Sequence, residues 1–377
     1  MWASHDAWDE PARTASPLTR YLLLVYLLLV VYASLHPLSG WRDQGMAPWA
    51  WLAATWPRHV TPIDLGFNIA AYLPVGLLLV AALYPWLRGW RAVALGTLGC
   101  SLLSLGMESL QVYLPTRVPS VNDLLTNSSG GLIGALLADW LVGRWLARGA
   151  LRRWRYRLFH AGHSVDLGLV LLLLWLLTQL TPETLLFGAG DLRDVLSDVP
   201  GVLHPAQTFI RAEAVVAAAN ALAVGLLAST LLRQRIDIYR GLLLLFGAAL
   251  LVRTLAYAVL GSDLLSSTAD ALSWLTPGAA SGALAGIALT LLAALLPSNL
   301  RLMVAALALM AATVVVNLAP PNPYHAATLS VWRQGHFLNF NGLTRWLSMA
   351  WPFAAMAWII LSSGTRQRGM DSMDSRL

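Results

Sequence analysis

Residues 96–138 read GTLGCSLLSLGMESLQVYLPTRVPSVNDLLTNSSGGLIGALLA, and how this stretch is read decides the fold. An apolar run ends at about residue 112 and another begins at about 122. Each is close to the ~20 residues that an α-helix needs to cross a bilayer. Between them lie Pro115 and Pro119, which fix φ and stiffen a short connection. Around that turn gather Glu108, Gln111, Arg117, Asn122, Asp123 and Asn127. Two greasy segments joined by a stiff polar turn form a membrane hairpin with its polar groups at one surface.

Working outward, the whole chain agrees. Of its 377 residues, 57% are apolar and 12% are charged, and the mean hydropathy is +0.62. Soluble domains carry roughly twice that charged fraction. The backbone of a spanning segment must satisfy its own hydrogen bonds, so the expected class is all-α, a polytopic helical bundle. About ten transmembrane helices are expected, near 20–38, 63–85, 91–112, 122–143, 165–181, 212–232, 240–260, 275–296, 301–319 and 343–363. The pattern Val31–Ala33 resembles a signal-peptidase site, but the apolar stretch before it is long, which favours a retained first span.

All 25 basic residues are arginine. Seventeen of them fall on one set of alternate connections, seven on the other, and Arg253 lies within a span. The positive-inside rule then puts both termini in the cytoplasm and the 107–131 hairpin outside. The high pI follows from the same arginines, and no basic motif with interleaved aromatics points to nucleic acid. Cys100 is the sole cysteine, inside an apolar run, so it reads as a packed side chain and no disulfide is possible. No cofactor or metal site is expected.

On helices, Glu108 and Gln111 (i, i+3) share a face, as do Asp123 and Asn127 (i, i+4). Asp64 and Asn68 repeat the second spacing at the outer end of the second span, followed by Pro74 and Gly76. Three helices thus aim polar groups at one outer cavity: Asn68, Glu108, Gln111, Arg117, Asp123 and Asn127, with Asp64 at its rim. Arg117 is placed to fold back onto Glu108 as a charge-assisted pair. Asp123 and Asp64 also suit helix N-caps, with Thr126 near the third position of the fourth span. Gly130, Gly131 and Gly134 allow close helix contact.

The combination of Asn68, Pro74, Gly76, Glu108, Gln111, Arg117, Asp123, Asn127, Gly131 and Gly134 resembles the VanZ-like membrane family, named for an accessory teicoplanin-resistance protein. The likeness covers about residues 20–145. It implies a multi-pass protein of the cell envelope with a link to the glycopeptide-antibiotic response, and it leaves the biochemical activity undefined.

The expected division is a VanZ-like four-helix domain over 1–147, a possible degenerate repeat of it over 165–300, a C-terminal helix pair over 301–364 and a disordered tail over 365–377. The repeat rests on NIAAYLPVG from Asn68 against NALAVG from Asn220, and on Asp123 and Asp270 preceding Gly-rich helices. Elsewhere, Trp41, Trp49, Trp51 and Trp56 suit an interfacial belt. The 182–211 connection, with Glu183, Asp191, Asp194 and Asp198 beside Arg193, reads as a solvated loop. Buried Arg253 needs a partner, with Asp263, Asp270 or a bound anion as candidates. His336, Asn339, Asn341 and Arg345 form a lesser polar group before the last span.

Three function classes follow. In the first, the outer cavity binds or acts on an envelope component such as a lipid-linked glycan or cell-wall precursor. Glu108 and Asp123 are then the candidate acid and base, and Arg117 an anion clamp. In the second, the chain is a transporter or flippase for an envelope lipid or small anion. In the third, it is a membrane scaffold. Membrane lipids are partners in all three; enzyme activity and oligomeric state are left open.

Overall fold

The computed structural model describes residues 17–53, 62–84, 86–141, 150–181, 184–193, 205–260, 272–320 and 338–374. Eleven helices carry them: α1 Pro17–Leu35, α2 Pro62–Leu83, α3 Trp90–Gln111, α4 Val121–Leu141, α5 Ala150–Leu158, α6 His163–Thr178, α7 Ala206–Leu231, α8 Arg235–Leu260, α9 Pro277–Ala293, α10 Ser298–Leu318 and α11 Leu338–Asp374. Among the described residues there is no strand; Phe159 and Leu232 form an isolated bridge. Every one of the ten expected spans is a helix. Seven (α1, α2, α3, α7, α8, α10 and α11) are long and apolar enough to cross a membrane, while α6 and α9 are shorter apolar helices. The first turns of α4 hold Asn122, Asp123 and Asn127. The last helix continues through Asp374, past the residue where the last span was expected to end.

The chain divides into two compact units, Met1–Arg157 and Leu158–Leu377. In the first, α4 packs most closely on α2 and then on α3, with α1 against α2 and α3. The α2–α4 contact is made by backbone. A Cβ on Gly76 would lie 2.0 Å from the Gly131 carbonyl oxygen, and one on Gly134 would lie 2.0 Å from that of Leu73. Gly130 meets the Ile69 carbonyl in the same way, at 2.3 Å. With no hydrophobic effect to drive helices together in lipid, such close approach supplies dispersion and Cα–H···O contacts instead. Cys100 is fully buried and faces Gly131, where a Cβ would come within 2.4 Å of its own.

In the second unit α7 is the central helix, with α9 and α10 as its principal neighbours; from Ala223 to Leu231 every residue of α7 is buried. Gly278, Gly282 and Gly286 of α9 press on the backbone of α7 at Ile210, Ala214 and Ala218. Two buried indoles fasten α11 to α6, Trp351 Nε1 donating to Leu171 O (2.8 Å) and Trp358 Nε1 to Ser164 O (2.7 Å).

Two expectations about the connections change. The 184–190 part of the 182–211 connection is not solvated: Thr184, Leu186, Phe187 and Ala189 are buried, while Pro205, Ala206, Gln207 and Arg211 at its far end are exposed. Leu-Leu-Phe is apolar enough to fill a core, and Gln179 removes the polar obstacle by accepting the Phe187 N–H at 3.2 Å. Asn317 completes the anchorage, accepting from Leu192 N (2.8 Å) and donating to Gly190 O (2.7 Å). Asp191 pairs with Arg193 at 2.6 Å; Glu183, Asp194 and Asp198 lie outside the described residues. In the 39–53 connection, Trp41 and Trp49 are exposed as an interfacial belt requires, but Trp51 is buried, its indole N–H held by Pro48 O. Trp56 lies outside the described residues.

Candidate functional site

The polar hairpin joins α3 to α4. Ser120 starts α4: its hydroxyl accepts the Asn122 N–H at 3.1 Å and its carbonyl the Leu124 N–H. Ser120 is therefore the N-cap, a role the sequence offered to Asp123. Asp123 sits in the first turn of α4 and accepts a hydrogen bond from Asn68 Nδ2 of α2 at 2.9 Å. Asn68 also reaches Thr126 Oγ1, at 3.3 Å. An amide–carboxylate bridge thus ties the N-terminal part of α2 to α4. The side chain of Asp64 lies outside the described residues.

Deeper in, polar side chains come from α2, α3 and α4, and α1 adds a backbone carbonyl. Glu108 is 3% exposed, and its Oε2 accepts the Ser120 N–H at 2.9 Å. Gln111, also buried, donates to Ser34 O of α1 at 2.9 Å. Asn127 donates to Ser104 Oγ at 3.0 Å. Its Oδ1 and the hydroxyl of Tyr72 are buried without a hydrogen-bond partner. Ser101 and Ser128 close the lower end at 2.8 Å.

Arg117 does not pair with Glu108. Its Nε donates to His36 O and its Nη2 to Ala33 O, both at 3.0 Å. These are carbonyls at and just beyond the C-terminus of α1, where a helix leaves acceptors unpaired and a cation is favoured. The arginine thus closes α1 against the hairpin, and its charge acts on Glu108 only through space. Burial draws its guanidinium below the usual value, and the Glu108 charge pushes it back. The 39–53 connection lies over the same end of the bundle, with Gln44 Nε2 donating to Val112 O at 2.5 Å and Arg42 N to Tyr113 O at 3.0 Å.

The six residues singled out from the sequence therefore divide. Glu108, Gln111 and Asn127 are buried and, with Tyr72 and Ser104, form the inner group; Asn68 and Asp123 bridge two helices above it; Arg117 and Gln111 hold α1. Sequence reasoning missed Tyr72, Ser34, Ser104, Ser120 and Gln44. Tyr72 is one turn after Asn68, and Ser104 one turn before Glu108, so helical spacing pointed to both. Ser34 and Gln44 act across long chain separations and left no local signal.

A second buried polar group lies in the other unit. Arg253 of α8 is 2% exposed and donates to the carbonyls of Thr181 and Thr184, with its guanidinium 5.4 Å from the Tyr257 ring. Asp263 and Asp270, the expected partners, lie outside the described residues, as do His336 and the side chains of Asn339 and Asn341. No cluster of His, Cys, Asp and Glu suited to a metal ion occurs among the described residues.

No curated protein and no solved structure matches the chain. The model of the VanZ/LLP1 family matches residues 2–142, which include α1–α4 and every residue of the polar cluster. Over that stretch the protein is VanZ-like.

Proposed function

We propose that the inner polar group of α1–α4 is a binding site, open to the outer face of a bacterial cytoplasmic membrane, for the hydroxyl- or amide-bearing part of an envelope component such as a lipid-linked glycan or cell-wall precursor. The observation that carries this reading is the Asn127 carboxamide oxygen, buried without a partner in the group that includes Glu108, Ser104 and Tyr72. An unsatisfied buried acceptor costs about 1–3 kcal/mol, and a ligand O–H or N–H would remove that cost. Glu108 serves as an acceptor for a ligand hydroxyl, with Asp123 as the second carboxylate should there be turnover. Arg117, with Nε and Nη2 committed to α1, is a poor anion clamp, which favours a sugar or peptide moiety over a phosphate. The same reading takes α6–α9 as a degenerate copy of α1–α4, supported by the glycine contacts that α4 makes on α2 and α9 on α7.

The test uses Glu108→Gln, which can still accept the Ser120 N–H, and Asp123→Asn, in cells whose response to a glycopeptide antibiotic depends on the protein. At wild-type protein level both variants are expected to shift glycopeptide sensitivity to that of cells lacking the protein. Unchanged sensitivity and envelope-lipid composition would sink the site. Failure to accumulate would favour the scaffold reading, in which the cluster serves as helix glue.

A further inference from the structure

At the end of the first unit away from the hairpin, the faces of α3 and α4 leave a groove of about 610 Å³, lined by Trp90, Ala94, Thr97, Leu98, Leu136 and Asp139, among others. From Trp90 to Ser101 it follows α3 for roughly 16 Å at 1.5 Å per residue. That is about the depth of one leaflet, half of the ~30 Å hydrocarbon core. Its length is lined largely by Leu and Ala, its charged lining residue is Asp139, and Arg88 and Arg91 flank Gly89, the residue that Asp139 holds. Asp139 contributes a carboxylate, whose Oδ1 accepts the Gly89 N–H at 3.0 Å. Arg91 lies 5.7 Å from the Trp90 ring, and Arg88 lies 4.8 Å from that of Tyr84. A guanidinium stacked on a ring face keeps its in-plane N–H groups available to a phosphate. Thr97 lines the groove further in, and its hydroxyl is buried without a partner, a donor for an ester carbonyl.

We infer that this groove seats one acyl chain of a zwitterionic glycerophospholipid bearing a primary amine, with the phosphate on Arg91 and Arg88 and the ammonium on the Asp139 carboxylate. A carboxylate bonded to Gly89, with arginines one residue before and two residues after that glycine, matches a phosphoethanolamine head. A phosphoglycerol head offers no cation to Asp139, and a quaternary ammonium offers it no N–H. The inference is independent of the hairpin site, which lies at the other end of the same helices.

The experiment is native mass spectrometry of the full-length purified protein, titrated in detergent with phosphatidylethanolamine, phosphatidylglycerol or phosphatidylcholine of identical acyl chains. The protein is expected to retain phosphatidylethanolamine roughly tenfold more strongly than either of the others, the effect of one charge-assisted hydrogen bond. Asp139→Asn, which still accepts the Gly89 N–H, is expected to bring that ratio to about one. Ala94→Trp and, separately, Leu98→Trp fill the groove from exposed positions and are expected to lower retention of all three lipids. Equal retention of the three lipids by the wild-type protein, or undiminished retention by both tryptophan variants, would overturn the inference.

Discussion

Arg117 fixes the C-terminal end of α1 by donating to two carbonyls there. Hydrogen bonds from charged donors contribute about 1.5–3 kcal/mol each when buried, less where water competes. Arg117→Gln cannot span both acceptors, so it is expected to lower the thermal midpoint of the purified protein by several degrees, read by the loss of helical circular dichroism. Were Arg117 instead paired with Glu108, the double variant Arg117→Gln, Glu108→Gln would recover much of that loss by removing the stranded charge. The geometry predicts no such recovery. The sequence identified Arg117 as part of the hairpin but assigned it the wrong partner. Charge complementarity is visible along a chain, whereas the open carbonyls of a helix some eighty residues earlier are not. Asn127 gives the complementary case. Asn127→Ala loses one hydrogen bond to Ser104 but also the unpaired Oδ1, so its stability is expected to stay within about 1 kcal/mol of wild type. Loss of function without loss of melting temperature in that variant is the signature of a binding role.

Between elements, the decisive contact is α2 on α4. Gly76 and Gly134 leave no room for a methyl group, because the opposing atoms are backbone. Gly134→Ala forces the two helices apart along their length and is expected to destabilise the unit by 3 kcal/mol or more, on the order of a severe overpacking substitution. Its readout is the folded fraction after detergent extraction, by size-exclusion chromatography. Gly106 of α3 is the matched control, since a Cβ there meets nothing within 4 Å. Gly106→Ala is expected to be neutral or to stabilise by up to about 1 kcal/mol through helix propensity. This interface was legible in advance: small residues four apart on an apolar helix signal close packing, and the glycines of α4 are in contact as that pattern required. A second pattern was there to be read. Thr97, Ser101, Ser104, Glu108 and Gln111 recur at alternating spacings of four and three, a polar stripe down one side of α3 that extends well beyond the Glu108–Gln111 pair at its C-terminal end. The buried 184–190 segment was misread for a different reason. Its neighbours in sequence are acidic, but its burial is decided by Gln179 and Asn317, which supply the hydrogen bonds that a non-helical backbone needs away from water.

For the molecule as a whole, hydropathy located the ten apolar helices, since a bilayer imposes a length and a polarity that composition records directly, and it passed over the arginine-rich α5. The polarity of the bundle across the membrane rests on the arginines, and the structure offers sites to measure it. Cys100 is fully buried and is the sole cysteine, so an unmodified background has no reactive thiol at the surface. Thr116, in the α3–α4 turn, and Trp86, before α3, are both exposed. They lie at opposite ends of α3, so one thiol at each reports opposite faces of the membrane. In intact cells with the outer envelope permeabilised, Thr116→Cys is expected to react with a membrane-impermeant maleimide, and Trp86→Cys only after lysis. The reverse pattern would turn the polar cluster toward the cytoplasm. An external glycan or cell-wall ligand would then be out of its reach, and the Arg88–Arg91 mouth of the α3–α4 groove would face the opposite leaflet. A result as expected puts Glu108 and Asn127 within a helical turn or two of the outer surface of the membrane, the position their proposed role requires.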